Sequence, residues 1–374
     1  MTALPQPQHS LAASIYRWRE QQADEGLRPH LGASLIGHPC ARHLWWVFRW
    51  ARAAKFEGRM LRLFDRGQRE EPVLVLELRA IGAEVLDADP DGKQFRISEL
   101  GGHFAGSMDA IVRKLPAGSS KAWEVAEFKT HNARSYKELV EKGVEKAKRQ
   151  HWAQMQTYMA STGMERANYI AVCKDDDQIY HERVHADPAA GKALRERAAE
   201  IIFAAEPPPG VSEDPTFYQC KFCDHHALCH GQAAPLPTCR SCAHATPERD
   251  GTWTCLQHQK VLDLAQQREG CEQHRYIPAV VARFMELHNV EADNVITWRN
   301  KATGTLIHQP GYDSREIHRA EAKGLLGDDF IASMKTTFPG ARLEQTFKLP
   351  PVPEDDFKDD IPWNTGTPQE ELEL

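Results

Sequence analysis

Apolar positions along the chain recur first at helical and then at alternating intervals. Residues 11–24 and 34–53 read as helices, the second packed with Leu44, Trp45, Trp46, Phe48 and Trp50. Over 59–82 the side chains of Leu61, Phe64, Val73, Leu76 and Ile81 form one apolar face, with Pro72 placed to kink the helix. Dense β-branched and aromatic residues predict strands at 94–98, 104–114 and 122–130. A helix over 134–162, strands over 167–173 and 178–184 and a helix over 187–205 follow. That order predicts an α/β fold with a mixed sheet flanked by helices. Further on, "ARFMELHNV" reads as helix and "VITWRNKATGTLIHQ" as a hairpin around Ala302-Thr303-Gly304.

Polar residues break this pattern where core side chains belong. In "WEVAEFKTH", residues 123–131, strand alternation puts Val125, Glu127 and Lys129 on one side and Ala126, Phe128 and Thr130 on the other. In the preceding "GSMDAIV", Asp109 interrupts Met108, Ala110, Ile111 and Val112. Buried charges are costly unless they pair or bind a metal. Two carboxylates and an ammonium converging from adjacent strands therefore suit a hard divalent cation such as Mg²⁺, with room for water and a phosphate oxygen. The same residues also fit a structural ion pair at a sheet end. On the next helix, "HWAQMQTYM" places Gln154 and Tyr158 four apart on one face.

Charge changes the picture only once it is located. The formal net charge is −7, and residues 354–374 alone hold eight carboxylates against one lysine, so the remainder is formally neutral. Arg134, Lys137, Lys142, Lys146, Lys148 and Arg149 form a local basic run, which fits either a DNA-facing surface or a solvated helix face. The start of the chain lacks a basic, then apolar, leader, and no segment approaches the roughly 18 apolar residues of a membrane span, so a soluble, cytoplasmic protein is expected.

Nine cysteines without a secretion signal favour metal ligation over disulfides. "YQCKFCDHHALCHG" places Cys220, Cys223 and Cys229 as C-x2-C-x5-C, one ligand short of four, and Cys40 in "GASLIGHPCARHLWW" is the candidate fourth. Four thiolates suit zinc or an iron-sulfur cluster equally. Cys239, Cys242, Cys255 and Cys271 form C-x2-C-x12-C-x15-C, a spacing for structural zinc, with His244, His258 and His274 as spare ligands. Cys173 is left as a buried core thiol.

The succession Asp109, Glu127-Phe128-Lys129, Gln154-x-x-x-Tyr158 resembles the PD-(D/E)XK nuclease superfamily, specifically its RecB-type branch. "RGQREEP", with Gly67, Glu71 and Pro72, is similar to the helix of phage exonucleases whose glutamate faces the metal, although the histidine many RecB-type members carry there is missing. The resemblance implies a restriction-endonuclease-like core in which Asp109, Glu127 and the Phe128 carbonyl hold Mg²⁺ or Mn²⁺. Lys129 would polarise the attacking water, and Gln154 and Tyr158 would position the DNA strand or that water. The distant Cys40, with "C-A-R", and the later trio resemble the iron-sulfur nucleases of this branch, which implies a [4Fe-4S] cluster there and Zn²⁺ in the second set.

The expected organisation is a helical region bearing one cluster cysteine (1–58), a nuclease core closed by the C-x2-C-x5-C set (59–235), a cysteine-rich zinc module (236–276), a small α+β module (277–349) and a disordered acidic tail (350–374). Within the tail "DDFKDDIPW" resembles the acidic tip of single-stranded-DNA-binding proteins, but eleven residues follow Trp363. The function expected is a metal-dependent DNA exonuclease of phage-type recombination or end processing, acting on DNA with single-stranded ends beside a single-strand annealing or single-stranded-DNA-binding protein. The basic run and the aromatic N-terminal helices would hold the strand by phosphate contact and stacking. A CRISPR-type adaptation nuclease and a non-catalytic DNA-binding module with structural metals are the alternatives.

Overall fold

The computed structural model describes residues 10–322 apart from 25, 117–120, 232 and 292–293; the tail from 350 lies outside the described residues. The N-terminal part runs α1 (Leu11–Gln22), β1 (Leu31–Gly32), α2 (Ala41–Phe48) and α3 (Gly58–Ala80). Next come β2 (Glu84–Leu86), β3 (Arg96–Glu99), β4 (Phe104–Ser107), β5 (Ala110–Arg113) and β6 (Glu124–His131). They are followed by α4 (Ala133–Ala147), α5 (Arg149–Thr162), β7 (Arg166–Cys173), β8 (Ile179–His185) and α6 (Pro188–Phe203). Two short helices, α7 (Tyr218–Lys221) and α8 (His226–His230), carry the first cysteine trio. Beyond them lie β9 (Ala245–Pro247), β10 (Trp253–Cys255), β11 (Lys260–Leu262), α9 (Leu264–Glu269), α10 (Pro278–Val281), β12 (Met285–Val290), β13 (Ile296–Asn300), β14 (Leu306–Gln309) and α11 (Ser314–Ala322). Among the described residues no helix is long and apolar enough to cross a membrane.

A five-stranded sheet in the order β2-β5-β6-β7-β8 forms the centre; β6 and β7 run parallel and the other pairs antiparallel. On its one face Leu74 and Val75 of α3 pack on Ala110, Val112, Ala126, Phe128, Ile170 and Val172. On the other, Val125 and Tyr169 join a larger core with Trp45, Phe48, Met155 and Tyr158 that continues to Trp253 and Trp298. Local chemistry sets the helix ends. Asn132 Oδ1 accepts from Ser135 N–H at 2.8 Å to start α4, Asp187 caps α6 ahead of Pro188, and Gly163 at φ 74° ends α5.

Four expectations change. Residues 34–53 are not one helix, because Pro39 cannot continue it; a short turn over Ala33–Leu35 precedes α2. The helix expected over 59–82, by contrast, is present as α3, which runs through Pro72 to Ala80. The helix expected over 134–162 is two, with Gly143 at φ 73° and Lys148 outside helical geometry. "ARFMELHNV" is mainly strand: β12 pairs antiparallel with β13, which the hairpin partner β14 flanks on its other side.

The strand expected over 104–114 is the most consequential change. It is two strands in two sheets, β4 between β1 and β3 and β5 in the central sheet, and Asp109 stands in the bend between them. Gly106 makes the crossing tight: a Cβ there would lie 2.7 Å from Ala33 Cβ and 3.0 Å from Tyr158 Cε1. Gly106→Ala is therefore expected to cost about 1–3 kcal/mol of stability by overpacking, read as a lower denaturation midpoint at unchanged slope.

Candidate active site

The sheet switch opens the site. β5 pairs with β6 only through Ala110–Val112 opposite Glu124–Ala126, so the flank of β6 beyond Ala126 has no strand beside it. Asp109 fills that gap, and its Oδ2 accepts the Phe128 N–H at 2.7 Å. Glu127, fully buried, and Lys129 point to the same face of β6. The Lys129 ammonium donates to Glu127 Oε1 and, at 3.0 Å, to the Phe128 carbonyl, and it lies 3.8 Å from Asp109 Oδ2. It occupies the space between two carboxylates as a cation would. From α3, Glu71 lies near enough to feel the charges of Asp109, Lys129 and Glu127.

Two glutamates share β6, and their partners separate them. Glu124 is compensated by Arg166 at 2.7 Å, Arg183 at 3.3 Å and the Asn168 amide at 2.8 Å. Glu127 Oε2 is buried with no hydrogen bond of ordinary geometry, the Gln154 side chain being near enough only to favour the charge of Glu127. An orphaned carboxylate oxygen costs free energy unless something absent from the chain satisfies it. Gln154 and Tyr158 are buried behind the site: the Gln154 amide donates to Tyr158 Oη at 3.0 Å, and Tyr158 O–H donates to Ser107 O at 2.6 Å, two residues before Asp109. The pair braces the bend that carries Asp109.

Burial, then the neighbouring carboxylates, hold the acid protons tightly. Burial and the charge of Asp109 push Glu71 up to about 8 against the pull of Lys129. Burial likewise pushes Glu127 up to about 8, opposed by Lys129 and reinforced by Asp109, and raises Asp109. Lys129 moves the other way overall, since Glu127 and Asp109 outweigh its burial and keep it charged. With folded values above the unfolded ones, the metal-free protein binds extra protons between the ordinary glutamate range and about pH 8, and these groups cost stability as pH rises through that window. A divalent ion must displace those protons. Its apparent affinity is expected to rise by roughly tenfold per pH unit for each proton released, up to about pH 8, as calorimetric titration in buffers of different ionisation enthalpy would read.

A model of the PD-(D/E)XK nuclease superfamily matches residues 4–230, more than half of the chain. The chain belongs to the PD-(D/E)XK nuclease superfamily. Nucleases of this superfamily use divalent metals, and the orphaned Glu127 oxygen beside Asp109 fits one. Among solved structures, an alkaline exonuclease from Laribacter hongkongensis is 18% identical with a TM-score of 0.34, over 50% of this chain and 89% of that one. The structure of LHK-Exo in complex with dAMP is 19% identical with a TM-score of 0.35, over 48% of this chain and 90% of that one. No curated protein matches the chain.

Part of the expected DNA grip of this nuclease is withdrawn into the core, although Trp18 of α1 stays exposed. Trp45, Trp46, Phe48 and Trp50 are all buried in the core and present no face for a base to stack on. Four cations of the basic run are paired within it: Lys137 with Glu141, Lys142 and Lys148 with Glu138, and Arg149 with Glu145. Three of these pairs have the i,i+4 helical spacing and Lys148 reaches Glu138 from ten residues away, so the glutamates offset part of the run's charge and leave it basic.

The cysteines assemble in two places. Cys40, Cys220, Cys223 and Cys229 line one cavity, although they come from opposite ends of the nuclease region. Donors point at the sulfurs: His43 N–H at 3.4 Å to Cys40, His225 N–H at 3.4 Å to Cys223, and Trp46 Nε1–H at 3.3 Å to Cys229. Hydrogen bonds of this kind favour thiolate over thiol, whereas burial pushes the Cys220, Cys223 and Cys229 thiols up. A bound cation would resolve that conflict. The same cavity holds donors that the spacing of cysteines did not disclose. His43 Nδ1 lies 3.1 Å from His225 Nδ1 and 3.5 Å from Cys223 Sγ, and these three atoms all lie within 4.8 Å of one another. Their signal was the histidine beside each cysteine, in "HPCARH" and "CDHHALCH".

The second set, Cys239, Cys242, Cys255 and Cys271, lies on a short turn, the end of β10 and the residue after Gly270, near enough for the other three thiols to act on Cys239. Burial, then the three other thiols, push Cys239 up to about 12. Of the spare histidines, His274 bonds Ser241 Oγ and the Thr238 carbonyl, His244 bonds Asn294, and His258 Nε2 lies 3.5 Å from Cys271 Sγ. Arg240, between the first two cysteines, donates to the carbonyls of Phe48 and Pro29 and stacks 3.7 Å over Trp50, which ties this turn to the N-terminal region. Cys173 is fully buried at the end of β7.

Proposed function

We propose that this nuclease is a Mg²⁺- or Mn²⁺-dependent DNA exonuclease, with Asp109, Glu127 and the Phe128 carbonyl as metal ligands and Glu71 closing the acidic wall. The reading is carried by the unpartnered Oε2 of Glu127 next to an ammonium that bridges toward Asp109. A bound divalent ion would supply Lewis acidity and a water of lowered pKa. Lys129, held protonated by its carboxylates, orients that water and offsets charge developing on the phosphorus oxygens. Gln154 and Tyr158 act one step back, keeping Ser107 and hence Asp109 in register.

Cys40, Cys220, Cys223 and Cys229 hold a [4Fe-4S] cluster and Cys239, Cys242, Cys255 and Cys271 hold Zn²⁺. The setting is recombination or end processing beside a single-strand-binding or annealing protein. End-labelled linear and closed circular DNA, incubated with Mg²⁺, Mn²⁺ or a chelator, test the reaction. Metal-dependent release of mononucleotides from linear ends is expected. Cutting of closed circles would overturn the exonuclease assignment, and label left intact under every metal would leave only a DNA-binding protein.

A further inference from the structure

His131 and His151 belong to neither the acidic set nor the cysteine cavities. Strand alternation puts His131 on the same face of β6 as Glu127 and Lys129. The parallel register sets Tyr169 of β7 directly beside Glu127. His151 opens α5 three residues before Gln154 and seven before Tyr158, and so shares their helical face. His131, Tyr169 and His151 therefore turn toward one corner. The Tyr169 hydroxyl lies 2.8 Å from His131 Nε2 and 2.8 Å from His151 Nδ1, and His131 Nδ1 lies 3.0 Å from Ser135 Oγ.

Hydrogen counting fixes what this chain can present. A phenol donates one proton, so it gives to one imidazole and accepts from the other. In one of the two proton orders Ser135 gives to His131 Nδ1, His131 Nε2–H gives to Tyr169, and Tyr169 gives to His151 Nδ1. That order leaves His151 with its proton on Nε2, a nitrogen with no hydrogen bond to any described residue. Burial lowers His151 well below its ordinary value and His131 to about 4, so both rings are neutral; Lys129 and Lys148 lie close enough to push His151 the same way. Lys129 and Lys148, each also holding a carboxylate (Glu127 and Glu138), still bring positive charge near this neutral N–H, a setting that can receive an anion.

We propose that His151 is a substrate contact of this nuclease, its Nε2–H donating to a non-bridging oxygen of the DNA backbone between Lys129 and Lys148, with Tyr169 and His131 as positioning residues. The proposal rests on the reading of the chain as a DNA nuclease. His151→Leu removes the donor at similar bulk, and His151→Gln returns an amide N–H near the place of Nε2.

With Mg²⁺ on end-labelled DNA, His151→Leu is expected to lose about 10–100-fold in kcat/KM, the worth of a hydrogen bond to a charged group. His151→Gln should stay within about fivefold of wild type, Tyr169→Phe should fall between the two, and the thermal midpoints of both His151 variants should match that of the parent. Wild-type kcat/KM in His151→Leu overturns the contact. So does equal damage in His151→Gln and His151→Leu with a shared loss of thermal midpoint, which would make the ring structural. Asp109→Asn, run alongside, separates the failures: if it too cleaves normally, the nuclease site itself is misplaced.

Discussion

Asp109→Asn loses metal-dependent cleavage while the protein remains folded. Asparagine keeps an oxygen at the position that accepts the Phe128 N–H, so the bend between β4 and β5 retains its hydrogen bond. What disappears is one of the two anionic ligands proposed for the metal. Metal-assisted stabilisation of a phosphoryl transition state is worth several kcal/mol, so the expected loss is about 10³-fold or more in kcat. Stability moves the other way. In a chelator above about pH 8, where Glu127 and Glu71 have lost their protons, these carboxylates and Asp109 repel one another around a single ammonium, and removing one charge relieves that repulsion. The variant should then unfold no lower than wild type without metal and gain less from added Mg²⁺. Asp109→Ala is the harsher version, since it also strips the Phe128 N–H of its acceptor. A gel assay of end-labelled DNA with calorimetric unfolding reads both effects, and cleavage at the wild-type rate by Asp109→Asn removes the metal site from the mechanism.

How much of this was legible depends on the range of the interaction. β6 and β7 are dense in β-branched and aromatic residues, and their ends fall within two residues of expectation because propensity and burial agree there. Asp109 was legible as an anomaly, a charge among core residues. Its bend was not, because leaving one sheet for another is decided by β1 and β3, remote partners that no local pattern encodes. The four N-terminal aromatics failed for a related reason: composition suits stacking on bases as well as core packing, and only Trp253, Phe203 and their neighbours decide for the core. In Met285–Val290, helix-forming Glu286 and Leu287 were overruled by pairing with β13. His131 and His151 went unnoticed although their intervals from Lys129 and Gln154 were visible; single histidines are common enough that spacing without contact distances does not lift them out.

The cysteine cavity yields the other large effect, which concerns folding rather than rate. Cys220→Ala leaves Cys40, Cys223 and Cys229 with one ligand too few for a four-thiolate site. The N-terminal segment would still be held by Arg42 on the Pro208 carbonyl at 2.9 Å and on Glu213 at 2.8 Å, by Trp45 on Ala204 at 2.9 Å, and by Arg197 on the His38 carbonyl at 2.6 Å. Those bonds contribute about 1 kcal/mol each, whereas a structural metal contributes on the order of 10 kcal/mol to the fold it closes. With the proposed iron-sulfur cluster in this cavity, Cys220→Ala is therefore expected to lose the cluster's visible absorbance and iron, and to unfold well below wild type or accumulate insoluble. Cys173→Ala is the matched control. It deletes an equally buried thiol that faces no other cysteine site, so it should cost only about 1–2 kcal/mol and leave the metal content unchanged. Equal metal content and equal midpoints for the two variants would mean that the cavity of Cys40, Cys220, Cys223 and Cys229 is a packing feature and not a clasp.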